Sequence, residues 1–190
     1  MIFLFLAVFY FYLKYWIKNL SGWERYAPFL KETNILLDLF ILTIGSGIFY
    51  FNINHEATLL NILLFMGVLI SMISVWIDTQ TKFLFRILSL VSLILFSIFM
   101  MSSQSDYYIS TLILIGIVFY FMPPIKGLGG GDLLFFTSFL PFMNLIHIPY
   151  YLLFASLFSF FYMKILRKTK TPLGPGIFFG VGVIEVFSFF

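Results

Sequence analysis

The chain has 190 residues, of which 62% are hydrophobic and only 10% are charged, and its formal net charge is +3. A soluble domain averages roughly 25% charged and about 45–50% apolar residues, and a small globule cannot bury this much apolar surface. The composition excludes a soluble enzyme, a disordered tail and a secreted disulfide scaffold. It predicts an integral membrane protein with nearly the whole chain in the lipid bilayer.

Apolar segments that are candidates for membrane helices recur along the whole chain. A helix rises about 1.5 Å per residue, so roughly 20 apolar residues cross a hydrocarbon core of about 30 Å. We predict an all-α, polytopic transmembrane helix bundle with about six to eight spans. The candidate segments, in chain order, are 1–17, 35–51, 58–77, 83–101, 108–125, 133–147, 149–166 and 177–190. The first is predicted as a span because it lacks the basic start and cleavage site of a signal peptide.

The basic residues favour one orientation of these spans. Lys and Arg occur in alternate connections, whereas the connections 52–57 and 102–107 contain none. Because basic loops stay in the cytoplasm, this side is predicted to be cytoplasmic, in a multi-pass protein of the cell membrane. We divide the chain into residues 1–57, which form N-terminal spans and an interfacial cytoplasmic loop of unassigned role, and residues 58–190, which form the bundle carrying the candidate chemistry.

Residue types that commonly hold cofactors are scarce. Cysteine is absent, which excludes disulfides, thiolate metal sites and a cysteine nucleophile. The two histidines, His55 and His147, fall in predicted outer turns and are too few for a metal site. We expect no metal and no cofactor. The modest positive charge fits loops beside the lipid bilayer rather than a nucleic-acid partner.

Two aspartates at the predicted cytoplasmic face are the main candidates for chemistry, because ionisable residues at membrane depth are costly. Asp78 ends the third segment, and Asp132 begins the sixth after a run of glycines. Two crossings separate them, so both return to the same face. The structural alternative for Asp132 is a helix N-cap. For Asp38 and Glu185 we expect structural pairing with other polar groups.

Two adjacent carboxylates can share one proton and hydrolyse a peptide bond. The ionised carboxylate draws a proton from water, and the protonated one hydrogen-bonds the carbonyl oxygen under attack. A helix dipole favours charge at an N-terminus, which makes Asp132 the base and Asp78 the acid. The glycines before Asp132 are expected to allow close backbone approach and positive φ angles.

These residues carry a family resemblance. Gly129-Gly130-Gly131-Asp132 matches the G-x-G-D signature of membrane aspartic proteases, and Asp78 follows an apolar span. The stretch Thr171-Pro172-Leu173-Gly174-Pro175-Gly176 looks like a P-x-G-P motif. Over roughly residues 65–190 the chain resembles the prepilin peptidase and archaeal preflagellin peptidase family, which serves type IV pili and the archaellum.

The resemblance implies a membrane aspartic endopeptidase that cuts the short basic leader of a prepilin-like or archaellin-like precursor at the cytoplasmic face. Asp78 and Asp132 would be catalytic. Supporting roles fall to Gly129, Gly131, Pro172, Gly174 and Pro175. Bacterial relatives that also N-methylate their product carry a cysteine-containing cytoplasmic loop, so no methyltransferase activity is expected here.

Two functions of other classes remain open. A small proton- or cation-coupled transporter would use Asp38, Asp78, Asp132 and Glu185 to carry charge. A non-enzymatic membrane assembly subunit would use its acids only as caps and pairs, and it would tolerate loss of the two aspartates.

Overall fold

The computed structural model describes residues 2–19, 35–53, 58–81, 84–101, 106–122, 129–165 and 173–188. In these ranges the chain is entirely helical apart from short connections, which confirms the all-α class. The helices are α1 (Ile2–Asn19), α2 (Ile35–Asn52), α3 (Thr58–Thr81), α4 (Arg86–Met100), α5 (Asp106–Phe121), α6 (Gly130–Ser138), α7 (Ile148–Ile165) and α8 (Gly174–Ser188).

The sixth predicted segment is the one whose form differs most from expectation. Instead of one helix over 133–147, α6 ends at Ser138 and is followed by two 3₁₀ turns, Leu140–Phe142 and Leu145–His147. Pro141 explains the break, since proline has no N–H for the helical ladder and its ring clashes with the preceding turn. With nine residues, α6 rises only about 14 Å, so it cannot cross a bilayer alone.

Three segments of the described chain are long and apolar enough to cross a membrane, namely Ile35–Asn52, Leu59–Thr81 and Leu145–Tyr162. This number is smaller than the predicted six to eight. Three further apolar helices are shorter, Arg86–Met100, Tyr108–Phe121 and Gly174–Phe187. A 15-residue helix such as α4 rises about 23 Å, less than the hydrocarbon core of about 30 Å.

Helix α3 is the centre of the bundle and contacts α1, α2, α4 and α8. Its residues 71–78 are all buried. Small residues let α4 approach it closely: Gly67 lies under the ring of Phe96, and the Ser71 hydroxyl donates to the Ser92 hydroxyl at 3.3 Å. Close packing of small residues stabilises helix pairs in lipid, where the hydrophobic effect does not drive helices together.

The outside of the bundle is apolar, as expected for a surface in contact with lipid. Large hydrophobic side chains of the long helices point outwards, among them Leu36, Leu59, Leu114, Phe121, Leu153 and Phe187. An apolar surface this extensive is not found on soluble monomers. The fold is therefore that of a membrane protein.

A buried ion pair joins α1 and α2 to α3. The Lys14 ammonium donates to both carboxylate oxygens of Asp38 at 2.6 Å, and the Tyr10 hydroxyl donates to Asp38 at 2.8 Å. Lys14 and Asp38 are 4% and 3% exposed. The Lys14 ammonium also lies 5.2 Å from the ring centroid of Trp76 on α3. This cluster confirms the expected pairing of Asp38 and fixes where α1 and α2 meet α3.

Candidate active site

Asp78 lies in the last turn of α3 and is 2% exposed. Its Oδ2 accepts a hydrogen bond from the backbone N–H of Gly174 at 2.8 Å. Gly174 is the first residue of α8, and the first N–H groups of a helix have no partner within that helix. Asp78 therefore caps α8 from a different helix, and the α8 dipole favours negative charge on its carboxylate.

Asp132 is the third residue of α6 and is partly exposed. Its Oδ2 accepts the backbone N–H of Gly129 at 2.8 Å. Gly129, not Asp132, occupies the N-cap position, so the N-cap role considered for Asp132 is not what the structure has. The bond is the half of a capping box in which the third helical residue reaches back to the N-cap backbone.

The two carboxylates lie close enough to interact electrostatically. Asp78 reaches the site from the end of α3 and Asp132 from the start of α6, while α8 contacts both helices. Both carboxylates accept an N–H at the N-terminus of a helix, so the dipole argument that made Asp132 the base no longer separates their roles. What differs is exposure: water reaches Asp132 more easily than Asp78.

The glycines before Asp132 serve close packing. A Cβ on Gly131 would overlap the backbone carbonyl oxygen of Leu84, in the connection that follows the Asp78 helix. Gly129 has a φ of −82°, and no described glycine adopts a positive φ. The expected close approach is therefore present at Gly131, whereas the expected positive φ is not found in the described part of the loop. Gly127 lies outside the described residues.

Replacing Gly131 with alanine is expected to push the Asp132 helix away from Leu84 and to reduce any activity that needs both aspartates. The neighbour is a backbone atom, so the clash is relieved only by moving a helix, at a cost of roughly 1–3 kcal/mol. Gly47→Ala is the matched control, since a Cβ there meets nothing within 4 Å. Equal thermal stability of the two variants would contradict the close approach.

The third motif adjoins Asp78. A Cβ on Gly174 would lie 2.8 Å from the Asp78 Oδ2, so only glycine leaves room for the carboxylate at this distance. Pro175 is buried in the first turn of α8, a position where the missing N–H of proline costs nothing. Pro172 lies outside the described residues. Gly129 thus contacts Asp132 and Gly174 contacts Asp78, while Gly131 packs against Leu84 and Pro175 follows Gly174 in α8.

Two side chains near the site were not singled out from the sequence. The Arg86 guanidinium donates to the Tyr120 carbonyl at 2.7 Å and packs over Gly130, which holds α4, α5 and the start of α6 together. The Tyr162 phenol on α7 lies within electrostatic range of Asp78. From the sequence, Arg86 is indistinguishable from the other basic residues of predicted loops. Likewise, no sequence feature distinguishes Tyr162 from the other tyrosines.

The remaining acids do not join the site. Asp38 is held by Lys14, and the buried Glu185 carboxyl is hydrogen-bonded by Asn52 near the other end of α8. Among the residues that the structure describes, no three acidic or histidine side chains gather in a way that would hold a metal ion. His147 lies in the second 3₁₀ turn, and His55 lies outside the described residues.

The site offers a buried carboxyl and a partly exposed one, each held by a backbone N–H, and the charge of Asp132 acts on Asp78. Two carboxyl groups this close, in surroundings that differ in exposure, are the chemical groups that acid–base catalysis on a water molecule requires. Comparison of the chain with models of known protein families, with curated proteins and with solved structures finds no match.

Proposed function

We propose that the protein is a membrane aspartic endopeptidase that uses Asp78 and Asp132 as its catalytic pair. The observation that carries the proposal is the proximity of the two side chains. Asp78 and Asp132 are 54 positions apart in the sequence, yet they lie within electrostatic range at one end of the bundle. Each is held by an N–H from one of the two glycine motifs, at 2.8 Å.

The proposed chemistry needs only these two side chains and water. One carboxylate, ionised, takes a proton from water as the oxygen attacks the peptide carbonyl carbon. The other, protonated, donates a hydrogen bond to the carbonyl oxygen and then a proton to the leaving amine. Because the two groups titrate as a pair, acid and base are roles of the pair rather than fixed properties of one residue.

The proposed substrate is the short basic leader of a prepilin-like or archaellin-like precursor, cut just before its hydrophobic helix. The resemblance of Gly129–Asp132 and of the Gly174-Pro175 stretch to the prepilin and preflagellin peptidases supports this class. Such a junction lies at the membrane surface, where a precursor helix enters the bilayer. The products would serve assembly of a type IV pilus or an archaellum.

We further propose a multi-pass arrangement of six to eight spans with the catalytic pair on the cytoplasmic side of the cell membrane. The bias of Lys and Arg toward alternate connections supports this orientation. Helices α4, α5 and α8 would cross in a membrane that thins locally around them, as a bilayer does around a hydrophobic stretch shorter than its own thickness.

The test is cleavage in liposomes that contain only the purified protein and a tagged precursor. We expect a shortened product whose new N-terminus is the first residue after the basic leader. A precursor whose leader lysines and arginines are changed to glutamine serves as the substrate control and is expected to be cut more slowly. If neither a prepilin-like nor an archaellin-like precursor is cut, the peptidase proposal fails. Proton flux in the same liposomes would then favour the transporter.

A further inference from the structure

Helices α1 and α2 enclose an outward-facing groove of about 410 Å³. Apolar side chains line most of its length, Phe3, Ala7 and Phe11 from α1 and Leu39 from α2. Phe3, Phe11 and Leu39 are themselves exposed, so the groove opens onto the surroundings of the bundle. Lys14 and Lys18 line one end.

The charges at that end do not balance among the described residues. Lys14 is neutralised by Asp38 at 2.6 Å, which is the one ion pair in the described part of the chain. Lys18 lies one turn further along α1, within electrostatic range of Lys14, and has no described carboxylate partner. Within the described ranges, the Lys18 charge is therefore not neutralised where the apolar groove ends.

The length of the groove matches half a bilayer. From Phe3 to Lys14, α1 rises about 17 Å, close to the roughly 15 Å of hydrocarbon in one leaflet, and Lys18 lies one turn beyond Lys14. An acyl chain can thus lie along Phe3, Ala7 and Phe11 while its headgroup reaches Lys18. Basic pockets between membrane helices bind anionic lipid headgroups by this combination of apolar contact and charge.

We propose that this groove is a binding site for one anionic phospholipid, with an acyl chain between α1 and α2 and the phosphate at Lys18. The site does not depend on the peptidase proposal. Because Asp38 neutralises Lys14, Lys18 is the residue that distinguishes an anionic lipid from a zwitterionic one. The bound headgroup would lie beside the cluster that joins α1 and α2 to Trp76 of α3.

The test measures thermal unfolding of the purified full chain in detergent, with phosphatidylglycerol or phosphatidylcholine added at equal concentrations. We expect phosphatidylglycerol to raise the midpoint more than phosphatidylcholine does. In Lys18→Gln that extra rise should shrink, because loss of one lysine contact weakens binding of the anionic lipid about fivefold. Ala7→Trp, which fills the groove, should also reduce the rise while leaving Lys18 in place.

Lys164→Gln is the matched control, since Lys164 is exposed in the last turn of α7 and does not line the groove. It is expected to keep the full preference for phosphatidylglycerol. If Lys18→Gln and Lys164→Gln reduced the preference for phosphatidylglycerol equally, anionic lipid would be attracted to basic surface in general. That result would overturn the proposal. Equal stabilisation of the unchanged protein by both lipids would overturn it as well.

Discussion

Asp78→Asn and Asp132→Asn are each expected to abolish peptide cleavage while leaving the helices assembled. Asparagine keeps the oxygen that accepts the Gly174 or Gly129 N–H, and it caps helices about as well as aspartate. It cannot take or give the catalytic proton, so each variant should lose a factor of about 10²–10⁴ or more in rate. Cleavage of a tagged precursor in liposomes measures the loss, and circular dichroism checks the fold.

Replacement of the Glu185 carboxyl by an amide, in the variant Glu185→Gln, is the control. Glu185 is a buried carboxyl like Asp78 but lies 11 residues beyond Gly174, about 17 Å further along α8. The Glu185→Gln variant should therefore cut the precursor at the rate of the unchanged protein. If either aspartate variant also remained active, the catalytic pair would be excluded, and both carboxylates would be helix caps of the kind that an assembly subunit has.

Asp38→Asn is expected to lower the free energy of unfolding by about 3–5 kcal/mol. The change leaves the Lys14 ammonium buried without its charge partner. The free-energy cost of a buried unpaired ion is much larger than the net stabilisation that the intact pair provides. Unfolding of the purified protein in detergent by increasing denaturant measures the difference. Lys164→Met, which removes an exposed lysine instead, should change stability little.

Removing both charged partners should restore most of the lost free energy of unfolding. In the double variant Lys14→Met with Asp38→Leu no charge remains to be buried, and replacement of a buried ion pair by apolar residues is often neutral or stabilising. The Tyr10 hydroxyl would still lose its acceptor, so recovery should be incomplete. If the single and double variants were equally unstable, the loss would come from packing rather than from charge.

Much of the fold follows from hydrophobic runs in the sequence, because a membrane helix must satisfy its own backbone and be apolar over its length. Helix α2 at Ile35–Asn52 and helix α7 at Ile148–Ile165 match their predicted segments within two residues. The segment 133–147 does not match, because hydropathy averages over Pro141. Span number is equally hard to predict, since hydropathy does not show at which residue a helix ends.

The candidate site was predictable in part. Counting crossings places Asp78 and Asp132 at one end of the bundle, and the structure brings them into electrostatic range. The bond from Gly174 to Asp78 joins positions 96 apart, and no periodicity in the sequence encodes a contact of that range. The assignment of acid and base rested on a helix dipole at Asp132 alone, because the sequence does not show that α8 begins against Asp78.

The bond between Gly174 and Asp78 also sets an order of assembly. Asp78 is synthesised 96 residues before its donor, and at about 5–20 residues per second this takes roughly 5–20 s. By the end of that interval α3 and α6 have both been synthesised, whereas α8 is only beginning to be made. The surroundings of Asp78 are therefore completed only by α8, so a chain truncated before α8 would carry both carboxylates and yet lack the Gly174 N–H that holds Asp78.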